Sequence, residues 1–135
     1  MKKLALVIAC AGLLLGMAGA AQKPVVDHYA AQATTDDPGF AGFSPDRGKA
    51  FFLAERTTGN PDTRSCSACH TADPRNAGET RAGKRIAPMA VSVTPDRFTD
   101  LAKVEKWFRR NCDTVLGREC TAAEKGDFIT FMTTQ

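Results

Sequence analysis

Apolar residues recur at helical spacing over two stretches of the chain. Leu101, Val104 and Phe108 stand at i, i+3 and i+7, with Trp107 widening the stripe, and Phe128, Ile129 and Met132 make a second apolar face further on. Each has a start signal. Thr94-Pro95-Asp96-Arg97 offers a cap, a proline at the first helical position and an acid in the first turn, and Thr121 with Glu124 forms a capping box. Ser44-Pro45-Asp46-Arg47 repeats the first signal and predicts a helix carrying Phe51, Phe52 and Ala54 toward Arg56, broken at Gly59-Asn60-Pro61-Asp62. Residues 21–43 are weakly patterned: Val25 to Ala33 accommodate a helical turn or two, ended by Asp36-Asp37-Pro38-Gly39. The stretch 71–93, rich in Gly, Ala, Arg and Pro, predicts an irregular loop, and a loop that long is usually functional or wrapped round something. No segment alternates with period two and no repeat of fixed period is present, so the expected class is all-α.

The first twenty residues stand apart. Lys2 and Lys3 precede the uncharged apolar run Leu4–Leu15, and Ala18-Gly19-Ala20 is a small-x-small cleavage signal, the pattern of a secretory signal peptide. The run dissolves into Gly and Ala too early for a membrane anchor, and the apolar stretch before Cys10 is short for a lipoprotein signal. Export, cleavage after Ala20 and a periplasmic location are expected, leaving the weakly patterned 21–43 and one domain over 44–135.

Composition changes this picture little: of 135 residues, 43% are hydrophobic and 24% charged, the make-up of a globular chain. Charge is more telling. Residues 64–118 carry eleven Lys or Arg against six Asp or Glu, a local +5, while 21–63 and 119–135 are each −2. The overall balance of 18 basic to 15 acidic groups is too even for a nucleic-acid binder, but a basic middle between acidic ends suits transient docking to an acidic partner.

The cysteines carry the chemistry. Cys66-Ser67-Ala68-Cys69-His70 is a C-x-x-C-H motif, which implies one covalently attached haem c. Two thiols three residues apart on one helical turn reach the two vinyl groups of one porphyrin, and His70 is carried beneath the iron as proximal ligand. A zinc site would need two more ligands at similar spacing, and thioredoxin-like chemistry a βαβ setting. A ligating histidine commonly gives its other N–H to a carbonyl. By similarity to small cytochromes c, Pro88 in Ile86-Ala87-Pro88 is the candidate. Cys112 and Cys120, eight apart, are expected to form a disulfide after export.

The sixth iron ligand separates a permanent electron shuttle from a protein that opens to diatomic ligands. Met132 lies on an apolar helix face and suits the core. His28 is the second of two histidines and sits in the weakly patterned segment. Met89 follows Pro88, and if Pro88 braces the proximal side Met89 is on the wrong face. Asn111, forty-one residues after His70, continues the Leu101/Val104/Phe108 stripe and precedes a half-cystine, though Asn also commonly caps a helix end. No distal His with a nearby Arg can be identified, so no catalytic residue is assigned and an enzyme is not expected.

The runs Ile86-Ala87-Pro88, Thr94 to Asp100, Val104-Glu105-Lys106-Trp107, Arg110-Asn111-Cys112 and Gly117-Arg118-Glu119-Cys120 resemble the sphaeroides haem protein (SHP) family, class I-like monohaem cytochromes c. The resemblance covers residues 45–135, and its most specific element is Asn-Cys-x7-Cys behind C-x-x-C-H. It implies that Asn111 ligates ferric iron and leaves on reduction, opening a site for O2, NO or CO, and that Cys112 and Cys120 pair beside it. It also implies electron donors of the dihaem cytochrome c and membrane cytochrome b classes; separately, a monomer is expected. His28 and Met89 are not ligands that the family predicts. An amide is a hard donor, better matched to Fe(III) than Fe(II), which agrees with release on reduction.

Overall fold

The computed structural model describes residues 19–135. In chain order these hold α1 (Lys23–Asp36), α2 (Pro45–Leu53), α3 (Ser67–His70), β1 (Gly78–Glu79), β2 (Arg85–Ile86), α4 (Leu101–Leu116) and α5 (Ala122–Thr133). The class is all-α. The signal peptide expected over residues 1–20 falls, apart from Gly19 and Ala20, outside the described residues, as does Cys10.

Two helices start where their capping signals stand. The Arg47 backbone N–H donates to Ser44 Oγ at 3.2 Å, which opens α2 at Pro45. Thr121 and Glu124 exchange side-chain and backbone bonds in a full capping box at α5. The signal at Thr94 starts no helix. Its hydroxyl donates to the Pro88 carbonyl at 2.9 Å, Phe98 takes a φ of 61°, and α4 starts at Leu101, where Asp100 accepts from the Lys103 N–H at 3.0 Å. The α2 helix ends at Leu53, short of Arg56. Residues 21–43 are more ordered than their pattern suggests: α1 runs for 14 residues, burying Val25, Tyr29 and Ala33 in a stripe one residue wide. Loop 71–93 is irregular except for an antiparallel ribbon that pairs Gly78 with Ile86 and Glu79 with Arg85.

Helix α5 is the central element, with α1 and α2 packed upon it. Gly48 lets the α2 and α5 backbones meet, since a Cβ there would stand 2.0 Å from the Asp127 carbonyl oxygen. Asp127 is buried, but its carboxylate accepts from Arg47 Nε at 2.7 Å, Arg47 Nη2 at 2.8 Å and the Ser44 N–H at 2.7 Å, so the buried charge is compensated. Phe52, Phe108 and Phe131 surround Phe128 or one another with ring centres 5.5–6.0 Å apart, and Cys112, Val115 and Met132 complete the core.

Tyr29 ties three helices together. It is fully buried on α1, its hydroxyl donates to Glu105 of α4 at 2.5 Å, and Lys125 of α5 donates to both oxygens of the same carboxylate at 3.1 Å. Burial alone would raise the Glu105 carboxyl, but the Tyr29 hydroxyl and the Lys125 ammonium outweigh it and hold the group below the usual carboxylate range. A lowered folded-state pKa gives stability that is present above the unfolded value of about 4.3 and is lost as pH falls through the folded one. Tyr29→Phe is therefore expected to cost about 1–3 kcal/mol in urea unfolding at pH 7, with a smaller difference at pH 3. Equal losses at the two pH values would assign the effect to packing rather than to this bond.

Candidate functional site

The C-x-x-C-H motif forms a single helical turn. The Cys69 and His70 N–H groups both donate to the Cys66 carbonyl, at 3.3 and 3.2 Å, and Ser65 Oγ accepts from the Ala68 N–H at 3.1 Å. Cys66, Cys69 and His70 thus stand at i, i+3 and i+4 on one face. The ribbon holds this turn from behind. Gly78 is required there because a Cβ would lie 2.0 Å from the Cys69 carbonyl oxygen. Thr71, the next residue, takes φ 63° and swings the chain away from the turn.

The face opens on a cleft between α3 and α4, of about 710 Å³ including the part open to solvent. Cys66, Cys69 and His70 form one wall; Val104, Trp107, Phe108, Asn111 and Cys112 form the other, with Phe51, Met89 and Phe128 between. The lining is predominantly apolar, and among the described residues no group of three or more His, Cys, Asp or Glu could hold a metal ion.

Electrostatics sort the donors. Burial, reinforced by the Arg97 guanidinium, pushes His70 down to about 4, so its imidazole is neutral and able to ligate. Its Nδ1 is buried with no hydrogen-bond partner. Burial pushes the Cys66 thiol up to about 11 against the pull of Arg56, which is unlike the thiolate of a nucleophile or zinc ligand. Two thiols on one face, a neutral imidazole beside them and an apolar cleft in front fit a covalently attached haem.

The other expected residues are placed as follows. Asn111 reaches the cleft, but not by continuing the buried stripe. From Phe108 that stripe passes to Cys112, Val115 and Leu116, while Asn111 lies exposed at the mouth beside Trp107, itself 46% exposed. Positions i+3 and i+4 from Phe108 diverge by one residue's rotation, so Asn111 faces the cleft and the disulfide takes the place in the core. Cys112 and Cys120 are bonded, with Cα atoms 5.6 Å apart. Pro88 does not brace His70. Its carbonyl accepts from Thr94 Oγ1 at 2.9 Å and from Arg97 Nε at 3.1 Å, which uses both oxygen lone pairs. Met89 is buried in the cleft wall, fixed by its N–H to the Pro74 carbonyl at 2.8 Å. Met132 is core, and His28 lies on α1 edge-on to Tyr29 at 5.4 Å, lining no part of the cleft.

Two residues escape sequence reasoning. Arg97 is half-buried, holds the Ala87 and Pro88 carbonyls and bears on His70. Thr63, in the cleft wall, buries a hydroxyl with no partner. Neither stands at a periodic position, and both depend on loops whose path only the fold shows.

Residues 38–132 match a family described as a domain of unknown function, DUF1924. The chain is 57% identical over 90 residues to the cytochrome c-type protein SHP of Cereibacter sphaeroides, covering 67% of this chain and 70% of that one. It is 36% identical over 112 residues to cytochrome c'' of Methylophilus methylotrophus, covering 82% and 78%. The structure of oxidised SHP, described as an oxygen-binding cytochrome c, superposes with a TM-score of 0.78 at 48% identity, covering 84% of this chain and 96% of that one.

Proposed function

Because the chain belongs to the SHP family of c-type cytochromes, which are carriers rather than enzymes, we propose that it is a periplasmic monohaem cytochrome whose sixth iron position is opened by reduction. Cys66 and Cys69 would anchor the haem covalently, His70 would hold its iron in both oxidation states, and Asn111 would hold it in the ferric state and let go on reduction. Bound there, haem iron supplies a one-electron couple and a coordination position for O2, NO or CO. The observation that carries the reading is the position of Asn111. It lines the same cleft as His70, on α4, directly before a disulfide-bonded residue. Its amide oxygen is a hard donor that Fe(III) holds better than Fe(II). Electrons come from a dihaem cytochrome c or membrane cytochrome b, and the exported chain meets such donors in the periplasm.

Met89 supports a second reading. It lies in the same cleft wall and is already buried, and a thioether on iron would make the protein a permanent electron shuttle. The visible spectrum of the dithionite-reduced haem protein decides between them. The proposed function requires a high-spin ferrous spectrum that shifts completely with carbon monoxide, and a ferric spectrum altered in Asn111→Ala. A low-spin ferrous spectrum indifferent to carbon monoxide, changed only in Met89→Ala, would establish the shuttle.

A further inference from the structure

The cleft is mostly apolar, and the hydroxyls that line it are engaged, with one exception. Ser65 Oγ stands 2.9 Å from Ser67 Oγ and accepts from the Ala68 N–H, and the Thr114 hydroxyl donates to the Arg110 carbonyl at 2.8 Å. Thr63 differs. It is 6% exposed, it lines the cleft, and its hydroxyl has no hydrogen-bond partner among the described residues. Asp127 and Ser65 are buried to the same degree and both have partners. A buried hydroxyl without a partner is a cost to the fold, and one in the wall of a ligand cleft points to a partner that arrives with the ligand.

The backbone fastens Thr63 to the wall that carries Asn111. Thr58 Oγ1 donates to the Leu116 carbonyl at 2.7 Å, the Asn60 N–H donates to the Thr114 carbonyl at 2.7 Å, and the Thr63 N–H donates to the Asn60 carbonyl at 3.0 Å. Gly59 makes this approach possible, since a Cβ there would collide with the Thr114 and Val115 carbonyl oxygens. Thr114 and Val115 lie three and four residues after Asn111, on the same side of α4, whereas His70 belongs to the opposite wall. A trapped water needs several polar partners, and the neighbouring hydroxyls are already spent.

We propose that the Thr63 hydroxyl donates a hydrogen bond to a diatomic ligand at the sixth position and so selects O2 over CO. O2 draws more electron density from ferrous iron than CO does, and its outer atom is the better acceptor. A hydrogen bond to an atom carrying charge is stronger than one to a neutral atom, and apolar surroundings strengthen it further. The hydroxyl therefore slows the loss of O2 and leaves CO nearly unaffected. The proposal rests on the opening of the sixth position described above and adds the group that decides which ligand stays.

The test compares Thr63→Val, which keeps the shape and removes the hydroxyl, with Thr63→Ser, which keeps the hydroxyl, in the reduced haem-loaded chain. Thr63→Val is expected to speed O2 dissociation in stopped flow about tenfold, to change CO dissociation by less than about twofold, and to raise the C–O stretching frequency of the CO adduct. Thr63→Ser should return all three toward the values of the unaltered protein. The melting temperature of Thr63→Val should not fall, because the hydroxyl has no partner to lose. Equal acceleration of O2 and CO would overturn the proposal, since a change in cleft shape would then explain both. A melting temperature lowered in Thr63→Val and restored in Thr63→Ser would overturn it by giving the hydroxyl to the fold. A ferric spectrum moved toward that of Asn111→Ala, with O2 dissociation unchanged, would overturn it by making the Asn111 amide the partner. If the unaltered reduced protein stays low-spin and takes up no CO, the reading of the sixth position fails and the proposal falls with it. If CO is taken up fully and O2 dissociation is unmoved in Thr63→Val, the proposal alone fails.

Discussion

Cys66→Ser/Cys69→Ser is expected to yield an exported chain that retains no haem after denaturation and loses its cooperative thermal transition. The two thiols are the covalent anchors, and the apolar cleft they face lies among the core residues Val104, Phe108 and Phe128. A ligand present at a thousandfold its dissociation constant stabilises the folded state by about 4 kcal/mol, and one that cannot dissociate contributes at least as much. Net stabilities of small domains are about 5–15 kcal/mol, so this single contribution is a large fraction of the whole. The single variants leave one thioether each and should keep haem with a lowered transition temperature. Haem staining of a denaturing gel, with circular dichroism of the same preparation, reads both effects. A haem-free double variant melting at the temperature of the unaltered protein would show that α1, α2 and α5 form a self-sufficient core and that the haem adds only chemistry.

What could be read from the sequence was whatever a few neighbouring residues decide between themselves. The C-x-x-C-H turn is such a case, since i, i+3 and i+4 place all three groups on one face regardless of the rest of the chain. The capping pairs at Ser44 and at Thr121 with Glu124 are others. Thr94 is followed by the same Pro-Asp-Arg as Ser44 but starts no helix: its hydroxyl turns to the distant Pro88 carbonyl, and the backbone leaves the helical region at Phe98, at a φ of 61°. Tertiary structure wins there over a local preference of about 1 kcal/mol. The same carbonyl defeats the expected brace on His70: its partners come from residues 94 and 97, and nothing in the spacing reveals that they converge. Helix α1 is weakly patterned because only every fourth side chain is buried, and the polar Tyr29 hydroxyl and Gln22 amide find partners on other segments. Asn111 and Cys112 both continue the apolar face of α4 from Phe108, at i+3 and i+4, and only packing decides that the first lines the cleft while the second enters the core.

Removing the disulfide by Cys112→Ser/Cys120→Ala should lower stability by about 2–3 kcal/mol, the loop-closure value for a bridge eight residues long. Both sulfurs are buried, Cys112 in the cleft wall and Cys120 just before the α5 cap, so the bridge holds the end of α4 against the start of α5. Its second effect should fall on the residue before it. The Asn111 side chain makes no hydrogen bond among the described residues, and the covalent bond at the next residue adds to the helical ladder in fixing that turn. An amide is a weak ligand whose occupancy depends on being held in position, so loosening the turn is expected to shift the ferric spectrum part of the way toward that of Asn111→Ala. Denaturant midpoints and the ferric spectrum of one preparation separate the two consequences. A fall in the midpoint with the ferric spectrum unchanged would make the bridge a clamp on the fold alone. A ferric shift without loss of stability would place its whole effect at the iron. The expected result is both, because one helix end carries the bridge and the ligand on adjacent residues.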